Sequence, residues 1–195
     1  MQKIIKRKEH LLHASSLIEE KLSQFPASAL PFRMPRGDFS SQLTDALRII
    51  GSETPLPVMH VQLGSFDTHE GQSWRHPRLL KELGEGLSAL RRNLIRLGRW
   101  DDVLVMTYSE FGRRVAENGS EGTDHGTASM HILLSGQVQP GLYGSYPSLS
   151  KLKDGDLIYT MDYRALYERV CTKWLGHANN KWLPFADKKL RFLLS

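Results

Sequence analysis

The sequence predicts an α/β domain in which short apolar strands alternate with longer helices. Three stretches carry that expectation: VMHVQL at residues 58–63 reads as a strand, a leucine stripe from Leu80 to Leu97 as a long helix, and VLVMTYS at residues 103–109 as a second strand. A strand, a helix and a strand in that order make a βαβ unit, the building block of a parallel sheet covered by helices.

The elements can be justified in chain order. Leu11, Ile18, Leu22 and Phe25 fall near one face of a helix over residues 10–25, after which Pro26, Pro31, Pro35 and Gly37 enforce an irregular linker. Asp38 is placed to cap a second helix carrying Phe39, Leu43, Leu47 and Ile50, and GSETPLP breaks that helix before the strand at 58–63. Residues 1–54 thus read as a helical N-terminal segment with its linker, and residues 55–195 as the α/β domain. Pro77 is a good first helical residue, and Leu80, Leu83, Leu87, Leu90, Leu94 and Leu97 recur at alternating intervals that make one apolar stripe. Gly84 and Gly86 interrupt this helix, each at roughly 1 kcal/mol relative to alanine, so close packing on the sheet is the expected use of their missing side chains.

The uninterrupted apolar start of residues 103–109 suits a strand covered on both faces. A polar loop from Glu110 to Thr127 follows, then MHILLSG as a third strand and GLYGSYPSL as a turn-rich excursion. The last element starts at Asp162 and places Tyr163, Leu166, Tyr167, Val170 and Trp174 on one helical face, with Gly176 at its end.

Composition narrows the functional classes. A chain of 195 residues, 40% of them apolar, has enough material for a folded core. Lys and Arg outnumber Asp and Glu by 26 to 21, a formal charge of +5. The groups at Lys3–Lys8 and Lys188–Arg191 lack interleaved aromatics, so they read as solvated surface and not as a nucleic-acid patch, while the basic balance favours an anionic small molecule. The single cysteine, Cys171, sits at an apolar helical position and excludes a disulfide framework and a thiolate metal cluster. The N-terminal stretch is basic but has no apolar run of signal-peptide length, and no segment reads as a membrane span.

In an open parallel sheet, functional groups gather on the loops at the carboxyl ends of the strands. Three polar clusters fall there: Asp67 and His69 after the first strand, Ser109, Glu110, Arg113 and Arg114 after the second, and Asp124 and His125 in the loop entering the third. Carboxylates with imidazoles are the ligand set of zinc, manganese or iron. Each cluster also has a plain structural reading: a polar turn at Asp67 and His69, an ion pair of Glu110 with a following arginine, a glycine-flanked capping turn at Asp124 and His125. If the second cluster is functional, Glu110 is a ligand or general base and Arg113 holds a phosphate or sulfate oxygen. His60 and His131 lie inside expected strands, His76 precedes Pro77 at a helix start, and His10, His13 and His177 lie on exposed helical ends. Neither a G-x-S-x-G elbow nor a phosphate-binding P-loop occurs.

Taken together and in order, "GSFDTHEGQ", "VLVMTYSEFGRRVAENGSEGTDHGTASMHILLSGQVQPGLYGSYPSL" and "DGDLIYTMDYRALYERVCTKWLG" resemble the C-terminal half of the DUF1501 proteins, uncharacterised and typically exported bacterial proteins similar to the alkaline phosphatase and sulfatase superfamily. The resemblance covers roughly residues 55–177. It implies a partial alkaline-phosphatase-like doubly wound sheet with flanking helices, and hydrolysis of phosphate or sulfate esters at a divalent ion such as zinc, manganese or calcium. Asp67 and His125 fit the superfamily's ligands to one metal. The second metal's Asp-His pair is replaced by Glu110 and Phe111, so that site is altered or lost unless His69 or Asp124 supplies a ligand. Residues 1–57 lack the front-half motif of the superfamily, from which a truncated member is expected, completed by a partner chain or a homodimer, or else a non-catalytic binding or scaffold module.

Overall fold

The computed structural model describes residues 15–177. It divides into two compact units, one of residues through Asp67 together with Pro77–Trp100, the other of Thr68–His76 together with the chain from Asp101 onward. The element order is a helix over residues 15–24 (α1), α2 (Asp38–Gly51), α3 (Gln72–Arg96), β1 (Val105–Met106), β2 (Gly112–Glu117), β3 (Thr123–Gly126), β4 (Leu133–Leu134), β5 (Leu152–Lys153), β6 (Asp156–Leu157) and α4 (Tyr163–Arg169). Among the described residues no helix is long and apolar enough to cross a membrane. The expected start of α1 and the histidines His10 and His13 lie outside the described residues.

The first unit is helical. Phe39, Leu43 and Leu47 of α2 and Leu87, Ala89, Leu90 and Leu94 of α3 are buried and form its apolar core. Each large member contributes about 1.5–3 kcal/mol by leaving water. A Cβ at Gly86 would lie 2.7 Å from the Phe39 ring, so this glycine serves helix-on-helix packing and not packing on a sheet. Gly84 has open space beside it. Asn93, fully buried within the leucine stripe, accepts from the Phe32 N–H at 3.0 Å and donates to the Phe32 carbonyl at 3.1 Å, which fixes the proline-rich linker on α3. Arg48 of α2 donates to the carbonyls of Leu22 and Phe25 at the end of α1, supplying partners that the helix cannot provide itself. Asp38 opens α2 as its first residue; Gly37 occupies the capping position without a side-chain bond.

The expected strand at 58–63 does not form. Its Gln62 backbone is instead held at both groups by the Gln42 side chain, Nε2 donating to the carbonyl at 3.0 Å and Oε1 accepting from the N–H at 2.8 Å. Val58 is 71% exposed, so this apolar run is not buried as a core strand would be. The βαβ unit is therefore absent, and the described strands pair in three antiparallel two-stranded ribbons, β1 with β4, β2 with β3, and β5 with β6. The protein is α/β in the general sense of mixed helices and small strands.

In the second unit, β1 and β4 lie where strands were expected but are short. Thr107 extends their pairing, its N–H donating to the Ile132 carbonyl at 3.0 Å and its Oγ1 accepting from the Ile132 N–H at 2.8 Å. Ala165 and Leu166 of α4 pack against Leu104, Met106 and Leu133 of that ribbon. Asp162 caps α4 by accepting from the Arg164 N–H at 2.9 Å, and the hydrogen bond from the Arg164 guanidinium holds its carboxyl below the usual carboxylate range. The helix continues as one wider π-helical turn, Val170–Trp174, which carries the half-buried Cys171, and Gly176 follows with φ of 70°. β5 and β6 are joined by Asp154 and Gly155, both at positive φ (53° and 79°), the backbone that a two-residue hairpin turn demands.

Candidate metal centre

The segment anticipated as a polar loop, Glu110 to Thr127, folds as the hairpin β2–β3, and this hairpin builds the site. Gly112 pairs with Gly126 and Arg113 with His125, with an irregularity before Glu117 pairs with Thr123. At its turn, Asn118 Oδ1 accepts from the N–H groups of Ser120 (2.9 Å) and Gly122 (3.1 Å), closing the chain on itself. The Asn118 amide nitrogen then reaches out to the His69 carbonyl at 2.9 Å. The turn carbonyls of Ser120 and Glu121 accept from the N–H groups of Gly71 and Gln72, so the hairpin satisfies the first amide of α3, which begins at Gln72, ahead of Pro77. Thr123 Oγ1 donates to Gln72 Oε1 at 2.8 Å. A Cβ on Gly122 would overlap the His69 carbonyl group, so only glycine permits this approach.

These contacts lay the segment from Asp67 to Gln72 along the hairpin. His69 Nε2 faces His125 Nε2 at 3.1 Å across a sequence separation of 56 residues. The carboxylate of Asp67, the residue joined directly to the start of this unit, completes a group with His69 and His125 in which one ligand atom from each lies within 4.8 Å of the others. All three side chains are exposed. Two imidazole nitrogens 3.1 Å apart are close enough to serve one ion together. The donor set of one carboxylate and two imidazoles fits a divalent transition ion.

Neighbouring groups contact the two histidine rings and the segment that carries His69. Asp124 Oδ1 lies 3.5 Å from His69 Nδ1, on the side of the ring away from Nε2, and the Asn118 amide reaches the same oxygen at 3.5 Å. The Phe111 ring stacks on His125 with centroids 3.8 Å apart and planes 6° from parallel. Arg113 lies over the Phe111 ring, 5.0 Å from its centroid, and its Nη1 donates to the Thr123 carbonyl, which engages the guanidinium within the hairpin. Thr68, buried between Asp67 and His69 in the chain, hydrogen-bonds His76 Nδ1 at 2.9 Å. Burial, and secondarily the charge of Arg113, hold the His76 pKa below the usual imidazole value.

The structure thus brings together Asp67, His69 and His125, sets Asp124 beside His69, and leaves Glu110 exposed in the turn after β1, outside that group. Asn118, Phe111 and Thr68 are contributors that the pattern of acids and histidines did not single out. The Asn118-Gly119 dipeptide was the available signal, since it marks a hairpin turn wherever it stands between extended segments. Comparison with known proteins finds no similar curated protein and no similar solved structure. The chain does match a family described as "Protein of unknown function (DUF1501)" over residues 19–172, which takes in the helical segment as well as the hairpin and α4. With more than half of its length matched, the chain belongs to the DUF1501 family.

Proposed function

We propose that the chain is a metal-dependent hydrolase of phosphate or sulfate esters, sharing the doubly wound ancestry of the alkaline phosphatase and sulfatase superfamily. The observation that carries this reading is the approach of Asp67, His69 and His125, whose ligand atoms lie within 4.8 Å although His69 and His125 are 56 residues apart in sequence. Asp67, His69 and His125 hold the ion; a divalent ion so held supplies a Lewis acid and an activated water. Arg113 adds fixed positive charge beside His125, its register partner, where an anionic ester would be received. Glu110, exposed after β1, is the carboxylate available to take a proton from water, and Asp124 braces His69. The formal charge of +5 assists the approach of anions.

The exposure of all three ligands also favours a second reading, a binding or scaffold module that keeps the ion without catalysis. One experiment separates the two. Purified protein loaded with zinc or manganese is assayed against aryl phosphate and aryl sulfate esters, beside elemental analysis of Asp67→Ala and His125→Ala. Ester cleavage lost together with metal in both variants is the expected result. Metal retained by both variants removes the site, and bound metal without turnover leaves the binding module.

A further inference from the structure

We infer that residues 58–63 are the edge by which two copies of this chain pair, as one antiparallel ladder across a two-fold axis at Val61. The segment has the periodicity of a strand without a sheet. No helix or turn interrupts it, and exposed His60 and Gln62 alternate with half-buried Val61 and Leu63, the two-residue period of extended chain. Met59 keeps to the more covered side, at 36% exposure against 71% for Val58. Gln62 gives both its N–H and its carbonyl to the Gln42 side chain, as a residue does in a hydrogen-bonded antiparallel pair. Successive residues of a strand turn their backbone groups to opposite edges, so Met59, Val61 and Leu63 direct theirs away from Gln42. Those three make no backbone hydrogen bond to any described residue. Gln42 thus pins one edge and leaves the other presented.

Proteins ordinarily blunt such an edge with charge, proline or a covering element; residues 58–63, VMHVQL, carry no formal charge and no proline. The occupant follows from the sequence being complementary to itself. With Val61 opposite Val61 of a second copy, Met59 falls opposite Leu63, His60 opposite Gln62 and Val58 opposite Gly64. Apolar side chains then meet apolar ones on one face and polar meet polar on the other, while the presented backbone groups make about six ladder bonds. Val58 also finds room, because a Cβ at Gly64 would meet nothing within 4 Å. A slip of one residue opposes Met59 to Gln62 and puts the facing backbone groups out of step. A strand from another protein would have to reproduce this pattern, whereas a second copy supplies it by symmetry.

Sedimentation equilibrium of the full chain tests the pairing, in buffer containing EDTA so that no metal bridges exposed histidines. A reversible monomer–dimer equilibrium is expected across about 1–200 µM, the range suited to a small interface. Val61→Pro removes the N–H at the axis and should yield monomer. Two double variants then read the register. His60→Glu with Gln62→Glu sets like charges opposite each other in both cross-strand pairs and should dissociate the dimer about tenfold or more; His60→Lys with Gln62→Glu sets unlike charges there and should keep it. Both lose His60 alike, so their difference reports pairing and not folding. A wild-type chain that stays monomeric throughout overturns the inference and leaves the edge to a strand of a different protein. A dimer in which the two double variants associate equally overturns it as well, by placing the contact elsewhere. Neither outcome bears on the metal reading, since the pairing is measured without metal and uses none of Asp67, His69 and His125.

Discussion

His76 is a side chain on which burial and charge act in the same direction. Its Nδ1 is held 2.9 Å from Thr68 Oγ1, and desolvation first, then Arg113, lowers its pKa from the ordinary 6.5. The unfolded chain therefore takes up a proton near 6.5, before the folded chain does as pH falls. The stability contributed by neutral His76 is complete above that value and is lost as pH drops from it toward the folded value. His76→Gln should flatten this part of the dependence. Urea midpoints of both proteins between about pH 8 and pH 5 check it, and parallel curves would refute the assignment. Asp67 and His125 were legible from sequence as ligand types at loop positions, whereas the bond to Thr68 was not, because it joins a buried hydroxyl to a residue dismissed as a helix start.

At the scale of elements, the β2–β3 hairpin holds the His69 segment through one tight approach, at Gly122. Gly122→Ala places a methyl group against the His69 carbonyl group, where backbone and not a flexible side chain must yield. The expected cost is about 1–3 kcal/mol in stability, with zinc affinity reduced about tenfold or more through displacement of His69. Chemical denaturation and chelator competition measure the two effects, and a variant equal to wild type in both would show that the hairpin does not position the ligand. Hydrophobic periodicity could not reveal this hairpin, because the residues of β2 from Arg114 to Glu117 are exposed and carry no apolar alternation. Its signal lay in turn chemistry at Asn118-Gly119, as the β5–β6 hairpin was signalled by Asp154-Gly155. The reverse error occurred at residues 58–63, where an apolar string was read as a strand and a single glutamine side chain, Gln42, takes the place of a neighbouring strand. The leucine stripe and the Asp162-capped helix were readable because a long amphipathic period and a capping residue leave few alternatives.

For the whole molecule, an ion that binds only the folded chain must raise its stability with the logarithm of its concentration once that exceeds the dissociation constant. Zinc at about 100 times its dissociation constant adds about 2.7 kcal/mol, visible as a rise in unfolding temperature that Asp67→Ala and His125→Ala should both lack. A rise shared equally by all three proteins would mean that zinc acts elsewhere. The general α/β class was accessible from sequence, since it depends on which stretches are helical and which extended; the antiparallel pairing was not, since it depends on which distant backbone groups find each other.

The separation of 56 residues between His69 and His125 has a consequence for the unfolded chain as well. A chain with one cysteine cannot cross-link itself through sulfur. An ion shared by these two histidines closes a circuit that encloses all of α3, β1 and β2. Bringing two residues so far apart together from an open chain costs a loop-closure entropy on the order of 4 kcal/mol, which folding meets before any ion arrives. On the proposed metal reading, the histidine pair is a clasp added to an already folded chain, one that a chelator would open and whose grip would follow the supply of metal and not the redox state of the surroundings.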